Sequence, residues 1–138
     1  ANTAYLVVDA HRSQKLAPYV YRTEDGGRSW RSAAANLPPD VPAKVVVEHP
    51  RNPDLLFLGT ETGLYASVDR GRRWVPFGGI PPVAIDDLVL HPRDNDLLVA
   101  THGRSLWIVD DVSALERLTP AVRAEAVHLF PVPEAIGE

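Results

Sequence analysis

The residues of this chain best suited to chemistry are four carboxylates, Asp9, Glu61, Asp86 and Asp87, and two histidine–arginine pairs, His11 with Arg12 and His102 with Arg104. Two carboxyl groups about 5 to 5.5 Å apart suit glycoside cleavage with retention, and about 6.5 to 9.5 Å apart suit inversion. The imidazoles could shuttle protons, and the guanidiniums could bind a carboxylate or phosphate. Asp86-Asp87 stands out because the matching positions one unit earlier in the chain are Lys44-Val45. Neighbouring residues of a strand point to opposite faces, so these two aspartates are not expected to act together on one substrate. Each group also has a plainer reading: the carboxylates as solvated turn groups or strand-end caps, His102 as a turn-stabilising partner, Arg104 as a surface or interblade ion pair.

Other chemistries lack their residues. With no cysteine there is no disulfide framework, thiolate nucleophile or thiolate metal site. The five histidines fall in different turns, and Asp94-Asn95-Asp96 lacks the full pattern of a calcium loop, so no metal is expected. Gly26-Gly27 and Gly78-Gly79 sit in turns without the strand, glycine and helix order of a phosphate or dinucleotide site, and no cofactor is expected. Fourteen Lys and Arg against 18 Asp and Glu give a net charge of −4, which offers nucleic acid no general attraction. The apolar runs are a few residues long, far below the roughly 20 that span a bilayer. No basic leader opens the numbering, and the compartment stays open; an extracytoplasmic location is compatible with a signal segment removed ahead of Ala1.

The elements that must position these groups are announced by repetition. His49-Pro50-Arg51-Asn52-Pro53-Asp54-Leu55-Leu56-Phe57 returns 42 positions later as His91-Pro92-Arg93-Asp94-Asn95-Asp96-Leu97-Leu98-Val99. This repeated context marks His49 and His91 as structural turn residues. A second motif, Ser/Thr-x-Asp-x-Gly-x-x-Trp, occurs as Thr23, Asp25, Gly27, Trp30 and again as Ser67, Asp69, Gly71, Trp74. The aspartates can accept backbone amides, the glycines can take positive φ, and the indoles can cover the turn. That reading makes both motifs structural corners rather than catalytic sites.

Cutting the chain at its turn signals gives units of four short strands. The complete unit, 37–79, has predicted strands at 43–48, 55–59, 63–67 and 73–76. An incomplete unit, 1–36, has strands at 4–8, 19–23 and 30–32; a degenerate unit, 80–112, has strands at 85–90, 97–101 and 105–109. The remainder, 113–138, reads as a short helix over 113–118 capped by Ser113 and interrupted at Thr119-Pro120, then a strand or surface strap at 126–130. The fold class is all-β: about two and a half blades of a propeller. Single blades leave apolar faces bare, so more blades must come from another polypeptide, from further sequence, or from symmetric association of identical chains. The alternative is a small open sandwich. The His-Pro-Arg turns and the Asp-Gly-Trp turns share one edge, which repeats closely; the loops at 9–18, 59–63 and 101–104 share the other, which varies and is where a binding surface fits.

These motifs resemble the BNR or Asp-box repeat propellers, a superfamily that includes sialidases, xyloglucanase-like glycoside hydrolases and sortilin-type Vps10 domains. The resemblance covers residues 4–111, and the run Ala100-Thr101-His102-Gly103-Arg104-Ser105-Leu106-Trp107-Ile108-Val109-Asp110-Asp111 is similar to late blades of bacterial sortilin-like or glycosyl-hydrolase-like proteins. It implies that the Asp-box lies between the third and fourth strands, away from the ligand face. Sialidase catalysis would need an arginine cluster, a tyrosine with a glutamate, and an acidic donor; xyloglucanase-like catalysis would need two aspartates facing a cleft. Neither set maps onto this chain residue by residue. The expected function is therefore a scaffold segment that binds a protein, peptide or glycan at its variable edge, with a glycoside hydrolase fragment using paired carboxylates as the alternative.

Overall fold

A computed structural model of the chain describes residues 2–10 and 13–131. Its strands are β1 (Ala4–Val8), β2 (Tyr19–Thr23), β3 (Arg31–Ser32), β4 (Ala43–Glu48), β5 (Leu56–Thr60), β6 (Gly63–Ser67), β7 (Val75–Pro76), β8 (Ile85–Leu90), β9 (Leu97–Thr101) and β10 (Leu106–Val109), followed by α1 (Ser113–Glu116) and α2 (Pro120–Ala124). They form three antiparallel meanders, β1-β2-β3, β4-β5-β6-β7 and β8-β9-β10. The architecture is all-β and propeller-like, and among the described residues no sheet closes into a ring.

The three sheets stack face to face, and the middle one is sheltered on both sides. Every residue of β5 is buried. Its pleat sends Phe57 toward the third sheet, where it and Leu55, just ahead of the strand, meet Ile85, Leu88, Leu97 and Val99. Leu56 and Leu58 point the other way, to Val20, Ala33, Leu37 and Trp74. Uninterrupted hydrophobicity at 55–58 thus reflects two buried faces rather than one. Gly59 continues the strand where a Cβ would lie 2.7 Å from both Val45 Cγ1 and Ile85 Cγ2, so only glycine fits between the innermost strands.

The outer faces of the end sheets stay bare. Leu6 and Val8 on β1 are exposed, as are Leu106 and Ile108 on β10. Among the described residues the first and third sheets have three strands each and the middle sheet has four.

Both Asp-Gly-Trp corners close with the same bonds. Thr23 Oγ1 donates to Asp25 Oδ1 at 2.8 Å and accepts Gly27 N–H at 2.9 Å; Ser67 Oγ donates to Asp69 Oδ1 at 2.8 Å and accepts Gly71 N–H at 2.9 Å. Asp25 Oδ1 then accepts Ser29 N–H and Asp69 Oδ1 accepts Arg73 N–H, each at 2.9 Å. The Ser29 hydroxyl and amide, with Thr23, hold the Asp25 carboxyl down at about 2. Both carboxylates are spent inside their turns.

The indoles differ. Trp74 is 1% exposed, wedged between sheets with its Nε1–H donated to Ala33 O at 2.7 Å. The Asn36 amide clamps its backbone on both sides, accepting from Trp74 N and donating to Trp74 O, each at 2.8 Å. Trp30, in an end sheet, has no further sheet packed over it among the described residues and is 42% exposed.

The tail departs from expectation. α1 begins after Val112 with no side-chain cap, and Ser113 is its first residue. Thr119-Pro120 starts a second helix instead of ending the first: the Thr119 side chain accepts Val122 N–H, and proline at the first helical position loses no hydrogen bond. Residues 126–130 form no strand, and Val127 and Leu129 are exposed. Glu116 reaches back to Arg51 at 2.7 Å and accepts from Asn95 at 2.8 Å; the buried His49 ring bonds Asn95 Oδ1 at 2.7 Å. This network ties α1 to the middle and third sheets.

Candidate functional site

The innermost strands β4 and β8 both begin with a β-bulge, between Ala43 and Val45 and between Ile85 and Asp87. The extra residues are Lys44 and Asp86, at matching positions of adjacent sheets. A bulge interrupts the pleat and re-aims the side chain. Here it brings Lys44 Nζ to 2.6 Å from Asp86 Oδ1.

Two loops of the same edge complete the cluster. Thr60 Oγ1 donates to Gly63 O at 2.8 Å and Thr101 Oγ1 to Ser105 O at 2.6 Å, so each threonine braces the turn that carries the next residue, Glu61 or His102. Glu61 Oε2 lies 3.4 Å from Lys44 Nζ, and His102 Nδ1 lies 3.2 Å from Asp86 Oδ2. Because Asp86 and Glu61 touch the same ammonium at 2.6 and 3.4 Å, their contacting oxygens lie no farther apart than those contacts laid end to end, 6.0 Å. The side chains of Lys44, Glu61, Asp86 and His102 are 16%, 40%, 41% and 81% exposed. The site is an open, half-solvated surface.

Its electrostatics favour ions. The Lys44 hydrogen bond, aided by His102, holds the Asp86 carboxyl below the usual carboxylate range. Burial opposes charge on Lys44, but Asp86 and Glu61 outweigh it and raise the ammonium. An ionised Asp86 can bind hydroxyls, stabilise positive charge or act as a base or nucleophile; it cannot donate a proton at neutral pH.

Of the residues singled out from sequence, Glu61, Asp86 and His102 therefore converge. Asp87 does not join them, because its Oδ1 accepts Leu88 N–H at 2.8 Å. Alternation does not separate Asp86 from Asp87 as expected: the bulge leaves both exposed, and what divides them is the choice of partner. Asp9 lies exposed just beyond β1. Arg104 is exposed and its carbonyl accepts Trp107 Nε1–H at 2.8 Å. His11 and Arg12 lie outside the described residues. Lys44 was missed as a site residue, although its opposite charge at the position matching Asp86 was a readable signal. Among the described residues no group of three His, Cys, Asp or Glu could hold a metal ion.

Comparison with known proteins agrees at the level of fold. No family model and no curated protein matches the sequence. Among solved structures, the chain is similar to an ancestral GH74 enzyme at a TM-score of 0.58 and 19% identity, covering 80% of this chain and 17% of that one. It is similar to the GH74 xyloglucanase from Xanthomonas campestris at a TM-score of 0.57 and 16% identity, covering 79% of this chain and 19% of that one. The chain thus spans less than a fifth of the length of either structure. Among the described residues no helix is long and apolar enough to cross a membrane.

Proposed function

We propose that the chain is a segment of a glycoside-hydrolase-type propeller whose variable edge engages a polysaccharide. The observation that carries this reading is the convergence of Lys44, Glu61, Asp86 and His102 on that edge, built from duplicated bulges and duplicated threonine-braced turns. Their hydrogen-bonding groups suit sugar hydroxyls, and Asp86 and Glu61 meet at the Lys44 ammonium, a pairing of carboxylates of the kind glycoside cleavage uses. The polysaccharide class is suggested by the xyloglucanase to which the fold is similar. Further blades, from another chain, more sequence or identical copies, complete the cleft.

One observation favours binding of a glycan, protein or peptide without turnover. Lys44 contacts both carboxylates and works against the protonated acid that glycoside cleavage requires, so a proton donor has to come from the added blades.

The test is to offer xyloglucan and other β-glucans to the native particle that contains these blades, measuring both binding and reducing-end release. Asp86→Asn should lower turnover at least about 100-fold, the scale of a lost acid–base or nucleophilic group, with folding intact. Polysaccharide binding without turnover would select the second reading. Absence of binding to any glycan would remove both glycan readings.

A further inference from the structure

The opposite edge carries a second cluster, independent of the one above. Between the first sheet and the corner of the middle sheet lies a cavity of about 270 Å³ lined by Arg22, Arg31, Ser32, Arg70 and Arg72. A chain with net charge −4 has gathered four guanidiniums, and no lysine, around one small space.

Two of the four are held in place. Arg22 NH1 donates to Arg70 O at 3.2 Å and its NH2 pairs with Glu24 at 3.0 Å; its side chain is only 14% exposed. Arg70 Nε donates to Asp54 Oδ1 at 2.6 Å. Arg70 also has φ +61° at the place where the first corner has Gly26 at +72°, so a bulky cation stands in a backbone conformation that favours glycine. Arg31 and Arg72 are exposed and have no hydrogen-bond or ion-pair partner for their side chains among the described residues. The carboxylates nearby are committed: Glu24 to Arg22, Asp54 to Arg70, and Asp25 to its own turn. Two of the four arginines lining the cavity are thus left with unpaired guanidiniums beside two fixed ones.

We propose that this cavity is an oxyanion site that takes a tetrahedral phosphate or sulfate, free or as an ester. Guanidinium forks match such oxygens bidentately, where a lysine would offer only a point charge. Ser32 supplies a hydroxyl donor at the rim. Arg22 and Arg70 form the preset floor, and Arg31 and Arg72 close on the anion.

The experiment titrates the native particle with sodium sulfate, with sodium phosphate, and with glucose 6-sulfate, holding ionic strength constant with sodium chloride and reading heat and arginine Nε–H shifts. One saturable site per chain is expected. The double variant Arg31→Gln with Arg72→Gln should weaken it at least tenfold, while Arg93→Gln, which removes a guanidinium paired with Asp94 on the third sheet, should leave it unchanged. Tighter binding of the ester than of inorganic sulfate would identify the ligand as an ester; equal binding would identify the free ion. A response that follows ionic strength alone, or saturable binding unaltered in the double variant, would overturn the proposal. Arg31 and Arg72 are exposed and unpaired, so their loss tests the site without testing the fold.

Discussion

At the scale of single residues, the molecule separates carboxylates that build from a carboxylate that remains available. Asp25 and Asp69 accept donors from their own turns, so their charge is structural. The Asp25 carboxyl should titrate near 2, and Ser29→Ala should move it back toward the ordinary range; carbon-13 titration of the carboxyl reads both. Because its folded value is depressed, whatever the turn gains from this charge is present above the unfolded value near 4 and is lost as pH falls toward 2. Asp86 differs in that its partner is a lysine from the adjacent sheet. Replacing Lys44 by Met should raise the Asp86 pKa, since Glu61 then faces it without a shared cation. The cost to stability should be small, about 0.2–1 kcal/mol, because the pair is half-solvated. An unchanged Asp86 titration in that variant would show that Lys44 does not set its charge. Gly59 is the residue with least freedom: Gly59→Ala should destabilise by about 1–3 kcal/mol in a denaturant series, because a methyl group there overlaps Val45 and Ile85.

At the scale of elements, strands were far more legible than what joins or follows them. Turn residues and the repeat located β1, β2, β4, β6, β8 and β9, because the turn that ends a strand leaves a direct trace in sequence. The bulges before Val45 and Asp87 left no such trace, since an extra residue changes direction without changing composition; the site therefore could be assembled only in part. Pro120 misled for a related reason. A proline stops a helix from within but starts one at its first position, and only the Thr119 cap distinguishes the two. The two corners give an element-scale prediction. Trp74 fills the gap between sheets and Trp30 covers open surface, so Trp74→Ala should cost about 3–5 kcal/mol. Trp30→Ala should cost much less in these blades alone. Asn36→Ala should release the Trp74 backbone from both clamping bonds and speed hydrogen exchange at Trp74 N–H. Equal losses at the two tryptophans would mean that they occupy equivalent environments, contrary to their burial.

At the scale of the whole molecule, the repeated sequence foretold stacked units because a blade shields only what its neighbours cover. The middle sheet has two neighbours and a fully buried β5; the end sheets have one each and leave Leu6, Val8, Leu106 and Ile108 in water. Substrate class and partners leave no comparable mark, since recognition depends on side chains that separate loops bring together rather than on a contiguous run of residues. The most direct test of the central claim is sedimentation and thermal unfolding of the 138-residue chain by itself. These bare faces predict association into multiples of 15.1 kDa, or a species that binds hydrophobic dye and unfolds over a broad range. A monodisperse 15.1 kDa monomer that unfolds in one sharp transition and binds no dye would contradict it.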